Sequence, residues 1–128
     1  MTPLILKGTV TSGQGNGKKY LALPWVLSQM KAKLGYTPYL GTLNLKLTAQ
    51  SIPHRKQLMK AKTETISPAE GYYTGLLIKA HINVLECAIV LPQVKNYPEN
   101  TLEIVAPSYL REKLHLKDGD TVEVTVTV

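Results

Sequence analysis

The chain has 128 residues with a net charge of +6, 44% apolar residues, one cysteine and no phenylalanine. That length suits one compact domain over residues 1–128, and a lone cysteine excludes an intrachain disulfide. No apolar run approaches the ~20 residues of a membrane span, and the start lacks the blocks of a secretory signal, so a cytoplasmic protein without a membrane partner is expected. The positive excess favours an anionic partner. Its scatter along the chain is more often a matter of solubility than of recognition, and it leaves RNA, DNA and phosphorylated small molecules equally open as partners.

Residues 4–12 alternate apolar with polar or β-branched positions, as a half-buried strand does. Three glycines spaced by two follow, Gly13, Gly15 and Gly17, with Gln14 and Asn16 between them and Lys18 and Lys19 after them. Glycine lets backbone N–H groups approach an anion closely. The loop has neither the Gly-Lys-Ser/Thr of a P-loop nor the Rossmann spacing, and taken by itself it reads first as a mobile turn between two strands. Residues 24–35 take helical spacing, with Leu27, Met30 and Leu34 on one stripe. Pro24 suits the first turn and Gly35 the position just past the end.

Residues 41–47, GTLNLKL, return to period two. Leu43, Leu45 and Leu47 face the core; Thr42, Asn44 and Lys46 face the other way. Thr42 and Asn44 offer hard, neutral oxygens compatible with Mg²⁺ when phosphates supply the charge, although an ordinary solvated strand face has the same pattern. Residues 50–80 are the hardest to read: an irregular connection should run into a strand near 58–66. Residues 72–92 give two β segments with a bend near 82–85.

Residues 101–107 form a short strand with Leu102 and Ile104 inward and Thr101 and Glu103 outward. Pro107 then starts a helix on which Ser108 and Arg111 share a face, while Leu110 and Leu114 are buried. Its first-turn N–H groups with Arg111 could hold an anion, or Arg111 and Glu103 could be surface charges. An Asp-Gly turn at Asp118 leads into a final strand over 120–128. The sum is a β-rich barrel rather than an alternating α/β sheet. His54, His81 and His115 lie far apart with no partner at ligand spacing, which argues against zinc. No Ser-His-Asp or Cys-His nucleophile arrangement is present.

Taken in order, GTVTSGQGNGKKYLALP, LGYTPYLGTLNLKL, AIVLP and LEIVAPSYLREKLHLKDGDTVEV resemble the archaeal-type CTP-dependent riboflavin kinases over residues 6–124, with 50–80 the least diagnostic part. The resemblance implies a mainly β fold, a six-stranded cradle-loop barrel of the riboflavin-synthase type with two short helices. It also implies the minimal form, without the winged helix that some members carry at the N-terminus. It assigns Gly13, Gln14, Gly15, Asn16, Gly17 and Lys18 to the nucleotide, with Ser108, Tyr109, Leu110 and Arg111 completing that site. Thr42 and Asn44 would bind Mg²⁺, and Glu103 would contact the flavin and act as the catalytic residue.

The implied reaction is phosphorylation of riboflavin by CTP, giving FMN and CDP, in a monomer with no nucleic-acid partner. Where the family commonly has a threonine touching the flavin, this chain has Lys95, followed by Asn96 and Tyr97. That contact is not carried over, so another donor or a flavin-like acceptor stays open. From another class, a DNA-binding barrel of the transcription-factor type would also suit the +6 charge.

Overall fold

The computed structural model describes residues 3–13 and 16–128. Among them seven strands dominate: β1 (Pro3–Thr11), β2 (Leu43–Leu47), β3 (Glu64–Ile66), β4 (Gly75–Ile82), β5 (Leu85–Pro92), β6 (Thr101–Val105) and β7 (Thr121–Thr127). All pairings are antiparallel. Six strands run β4-β5-β6-β2-β1-β7, and β7 returns to β4 at the His81–Thr125 pair, closing a barrel. β3 is the added seventh, lying beside the first half of β4.

Period two sets what lies inside. Leu4, Leu6 and Val10 of β1 meet Leu43, Leu45 and Leu47 of β2 in the barrel core, with Ile89, Leu102, Ile104 and Val124 among their neighbours. A second cluster lies outside the wall. There α1 (Asn16–Leu21) and α2 (Pro24–Leu34) set Leu21, Val26, Met30 and Leu34 against Leu77, Ala88 and Val90. β5 is therefore buried on both faces, which is why residues 88–91 read as a continuous apolar run while β1, β2 and β7 alternate. Cys87 faces the barrel core, where burial, with the Glu86 charge adding, pushes its thiol up to about 12. It is a packing residue, not a reactive thiol.

Several expectations need correction. The buried stripe of α2 is Val26, Met30 and Leu34, stepping by four, whereas Leu27 is only half-buried. Gly35 does end that helix, at φ 82° with its N–H on Lys31 O. The strand expected near 58–66 shrinks to β3; before it come α3 (Ile52–Arg55) and a 3₁₀ turn (Lys56–Lys60). Pro53 sits where proline favours helix entry, and only Leu58 and Ile66 are buried between 56 and 66, too few for an alternating face. The α-helices thus number four rather than two among the described residues. The last, α4 (Leu110–Lys113), begins at Leu110 and not at Pro107. Tyr109 is still extended (φ −73°, ψ 100°), and Ala106 O is held by Tyr39 N–H at 2.8 Å.

The outer edge of β3 is covered rather than left open to other chains. Gln29 of α2 accepts from Ser67 N–H at 2.7 Å and donates to Ser67 O at 3.0 Å, pairing with the backbone as a strand would. Lys33 Nζ donates to Thr65 O one turn along. Among the described residues no helix is long and apolar enough to cross a membrane.

Leu45 is fully buried at the centre of the barrel, whereas Val84 is 91% exposed in the β4–β5 turn. Leu45→Ala is therefore expected to cost about 2–5 kcal/mol in urea denaturation. Val84→Ala should stay within about 0.5 kcal/mol. Similar losses at the two positions would contradict the inward register of β2.

Candidate active site

The antiparallel ladders set Thr11 opposite Asn44, Asn44 opposite Glu103, and Glu103 opposite Val90. Facing residues on paired strands point to one side of the sheet, so these side chains form a row across the outside of the barrel. The row continues through Leu77 to Glu64. Its middle is buried under α1 and α2, while Asn44 and Glu103 are half-buried at the open end.

Thr42 Oγ1 donates to Asn44 Oδ1 at 3.0 Å, so the two expected metal ligands do meet. Gly13 passes close to Asn44. A Cβ at that position would collide with Asn44 Nδ2 and lie 3.2 Å from its Cγ, so any larger residue there would have to push the Asn44 amide aside. Among the described residues no group of three His, Cys, Asp or Glu could hold a metal. A divalent ion at this point would depend on neutral oxygens supplemented by a ligand's own. The hard oxygens of Thr42 and Asn44 fit that demand.

The end of β1 is tied to the Asp-Gly turn. Val10 N–H bonds Asp120 O at 2.8 Å and Gly119 N–H bonds Val10 O at 2.9 Å. Ser12 Oγ donates to Asp118 Oδ2 at 2.6 Å, and Asp118 Oδ1 takes an ion pair from Arg111 at 2.9 Å. The Ser12 hydrogen bond first, then Arg111, holds the Asp118 carboxyl below its ordinary range. Arg111 is thus aimed along the stem of the glycine loop.

Beside it lies a cleft lined by Tyr39, Thr42, Ser108, Tyr109 and Arg111, with Leu110 buried beneath. The Tyr39 and Tyr109 rings stack at 4.7 Å and 8°, each presenting a partly exposed face. The structure therefore brings Thr42, Ser108, Tyr109, Leu110 and Arg111 together, and joins them to Gly13 through Asn44. Ser108 lies in a bend ahead of α4, a single helical turn, so the first helical N–H groups belong to Leu110 and Arg111 rather than to Ser108. Lys18 is exposed on α1, whose backbone starts at Asn16 and Gly17. Gln14 and Gly15 lie outside the described residues.

On the acceptor side, Tyr97 donates its phenol proton to Glu103 Oε2 at 2.7 Å. Sequence reasoning missed Tyr97, Ser12 and Asp118 as site residues. They act across 6 to 106 positions of sequence separation and carry no local pattern. A roomier cavity of about 250 Å³ lies elsewhere, at the seam between β3 and β7, lined by Leu34, Lys62, Glu64, Lys79, His81 and Thr125 among others. None of the expected site residues that the structure describes lines it.

Gly13→Ala should displace the Asn44 amide and lower ligand binding at this site at least tenfold, read by calorimetry with a nucleoside diphosphate. Unchanged affinity would show that the loop does not press on Asn44. The Asp118 tether favours the folded state above its ordinary pKa of 3.8 and is lost as pH falls through the lower folded value. Ser12→Ala should move the carboxyl titration of Asp118, followed by NMR, back up toward 3.8. An unmoved midpoint would contradict the Ser12 contact.

A family model for CTP-dependent riboflavin kinases, described as "Domain of unknown function DUF120", matches residues 10–126. The chain is 41% identical over 128 residues to a riboflavin kinase of Archaeoglobus fulgidus, covering 94% of this chain and 54% of that protein. It is equally identical, at 41%, to a riboflavin kinase of Pyrobaculum aerophilum, covering 94% and 60%. A riboflavin kinase of Sulfurisphaera tokodaii is 37% identical, with 96% of this chain and 95% of that protein covered. The chain spans little more than half the length of the first two and nearly all of the third. With the match reaching from the end of β1 to β7, the chain belongs to the CTP-dependent riboflavin kinase family.

Proposed function

We propose that this protein phosphorylates riboflavin, using CTP as donor and releasing FMN and CDP. The observation that carries the reading is the position of Asn44, with Gly13 pressed against one side of its side chain and Glu103 facing it across the strand pair. A nucleotide held along the glycine turn and the Ser108–Arg111 cleft would bring its phosphates to Thr42 and Asn44. An acceptor hydroxyl at Glu103 would then lie on the next strand over. Every residue invoked comes from one chain.

In phosphoryl transfer the protein contributes positioning and charge stabilisation rather than covalent chemistry. The acceptor oxygen forms the new bond to the γ-phosphorus, and the bond from that phosphorus to the β–γ bridging oxygen breaks, its electron pair leaving with CDP. Glu103 accepts a hydrogen bond from the attacking hydroxyl, and the proton leaves along that bond. Arg111, steadied by Asp118, balances phosphate charge. Mg²⁺ bound at Thr42 and Asn44 would supply further charge neutralisation for the phosphates. The stacked Tyr39–Tyr109 pair offers an aromatic face at the rim of the same cleft.

The test is to incubate the protein with riboflavin and Mg²⁺ and compare CTP, ATP and no nucleotide. FMN and CDP should appear in equal amounts with CTP only. FMN formation with ATP instead would overturn the donor assignment, and no FMN with any nucleotide would overturn the activity. Asn44→Ala should depress turnover at least tenfold. Wild-type turnover with an unchanged Mg²⁺ requirement would remove Asn44 from the metal site.

A further inference from the structure

The contact between Tyr97 and Glu103 is built from several directions. The chain turns tightly before it: Tyr97 N–H bonds Val94 O at 3.2 Å, and Asn96 sits at φ 67°, a left-handed angle that asparagine tolerates. Pro98 follows and restricts the Tyr97 backbone to extended angles. The return of the loop is pinned to the end of β2, where Leu47 N–H bonds Asn100 O at 2.6 Å. Together these deliver the phenol to Glu103.

Over the Tyr97 ring lies the guanidinium of Arg55, 5.7 Å from the centroid and within cation–π range. Arg55 ends α3, in the stretch whose sequence is least informative. Its Nε is buried and, among the described residues, has no hydrogen-bond partner. Packing on the ring, rather than an ion pair, therefore keeps it there.

We propose that Tyr97, backed by Arg55, is a positioning residue that fixes the Glu103 carboxylate through Oε2 and leaves Oε1 for the acceptor hydroxyl. This inference rests on the reading of Glu103 as the residue that orients the acceptor. The side chains facing the carboxylate are Asn44 from β2, Val90 from β5 and Tyr97, with Arg55 behind Tyr97 and Lys46 farther along β2. Among the described residues Tyr97 alone gives it a side-chain hydrogen bond. An O–H···O⁻ bond of this kind is short and directional, so it removes rotational freedom from the carboxylate before substrate arrives.

Burial, then the bond to Glu103 and the charge of that carboxylate, push the Tyr97 phenol above the ordinary tyrosine range, with Arg55 opposing. Tyr97 therefore stays protonated at neutral pH. It donates and does not take up the acceptor's proton.

The experiment compares wild type, Tyr97→Phe, Arg55→Lys and Glu103→Gln in steady-state FMN formation from CTP and riboflavin. Tyr97→Phe should lower kcat roughly tenfold with the KM for CTP unchanged. Arg55→Lys should lower kcat by less, again with the KM for CTP unchanged, and Glu103→Gln should abolish most turnover. If Glu103→Gln is crippled while Tyr97→Phe keeps the wild-type kcat, the positioning role is overturned and the reading of Glu103 survives. If Glu103→Gln turns over normally, that reading fails and takes the inference with it. Should Tyr97→Phe not fold, the wild-type protein still decides: a slowly exchanging Tyr97 hydroxyl proton is expected by NMR, and its absence overturns the proposal.

Discussion

The constraint on which this site depends is the register of β2 between β1 and β6. Its sequence, Leu-Asn-Leu-Lys-Leu, offers three leucines to one side, and all three are buried in the barrel. Fully burying a leucine is worth about 1.5–3 kcal/mol, so a one-residue slip would exchange three such gains for a buried asparagine and a buried lysine. Core packing therefore fixes Asn44 on the outer face, opposite Thr11 and Glu103. The polar row inherits its geometry from apolar residues that never touch a ligand.

Around that row the chain spends its irregular segments on attachment. The stem of the glycine loop is bound to the Asp-Gly turn by two backbone bonds and by Ser12, and Arg111 is drawn in through the same Asp118. Beyond the loop, Tyr20 packs edge-on to Trp25 at 6.2 Å, and Trp25 to Tyr72 at 5.1 Å. The helices after the loop are thereby tied to the chain leading into β4. A closed barrel has little freedom to shift its strands, so these loop attachments decide how the groups around Asn44 sit relative to one another. For the proposed phosphoryl transfer, which would be governed by placement of the transferring group, that is the property that matters.

The barrel itself was legible because β1, β2 and β7 carry period two throughout, and the leucine pattern of residues 43–47 announced both the core face and the outward Asn44. The family motifs pointed to Gly13, Thr42, Asn44, Glu103 and Ser108 to Arg111, and the structure gathers those residues around one strip and one cleft. Residues 50–66 were misread because they hold only two buried apolar anchors, Leu58 and Ile66, separated by mostly exposed residues. With one anchor per piece, neither helical nor strand periodicity can register. Tyr97, Arg55 and Asp118 were invisible for a different reason. Each acts through a partner brought near by the fold, and a single sequence holds no trace of such pairs.

The central claim is that a divalent ion, carried in with a nucleotide, is held by two neutral oxygens on the outer face of the barrel. It can be tested most directly by paramagnetic broadening, with Mn²⁺ titrated into the CDP-bound protein and backbone amide signals followed by NMR. The strongest broadening should centre on Thr42 and Asn44 and extend to Gly13 and Glu103, while Glu64 and the seam between β3 and β7 stay sharp. Broadening centred on Glu64, or on any carboxylate away from this row, would contradict the account.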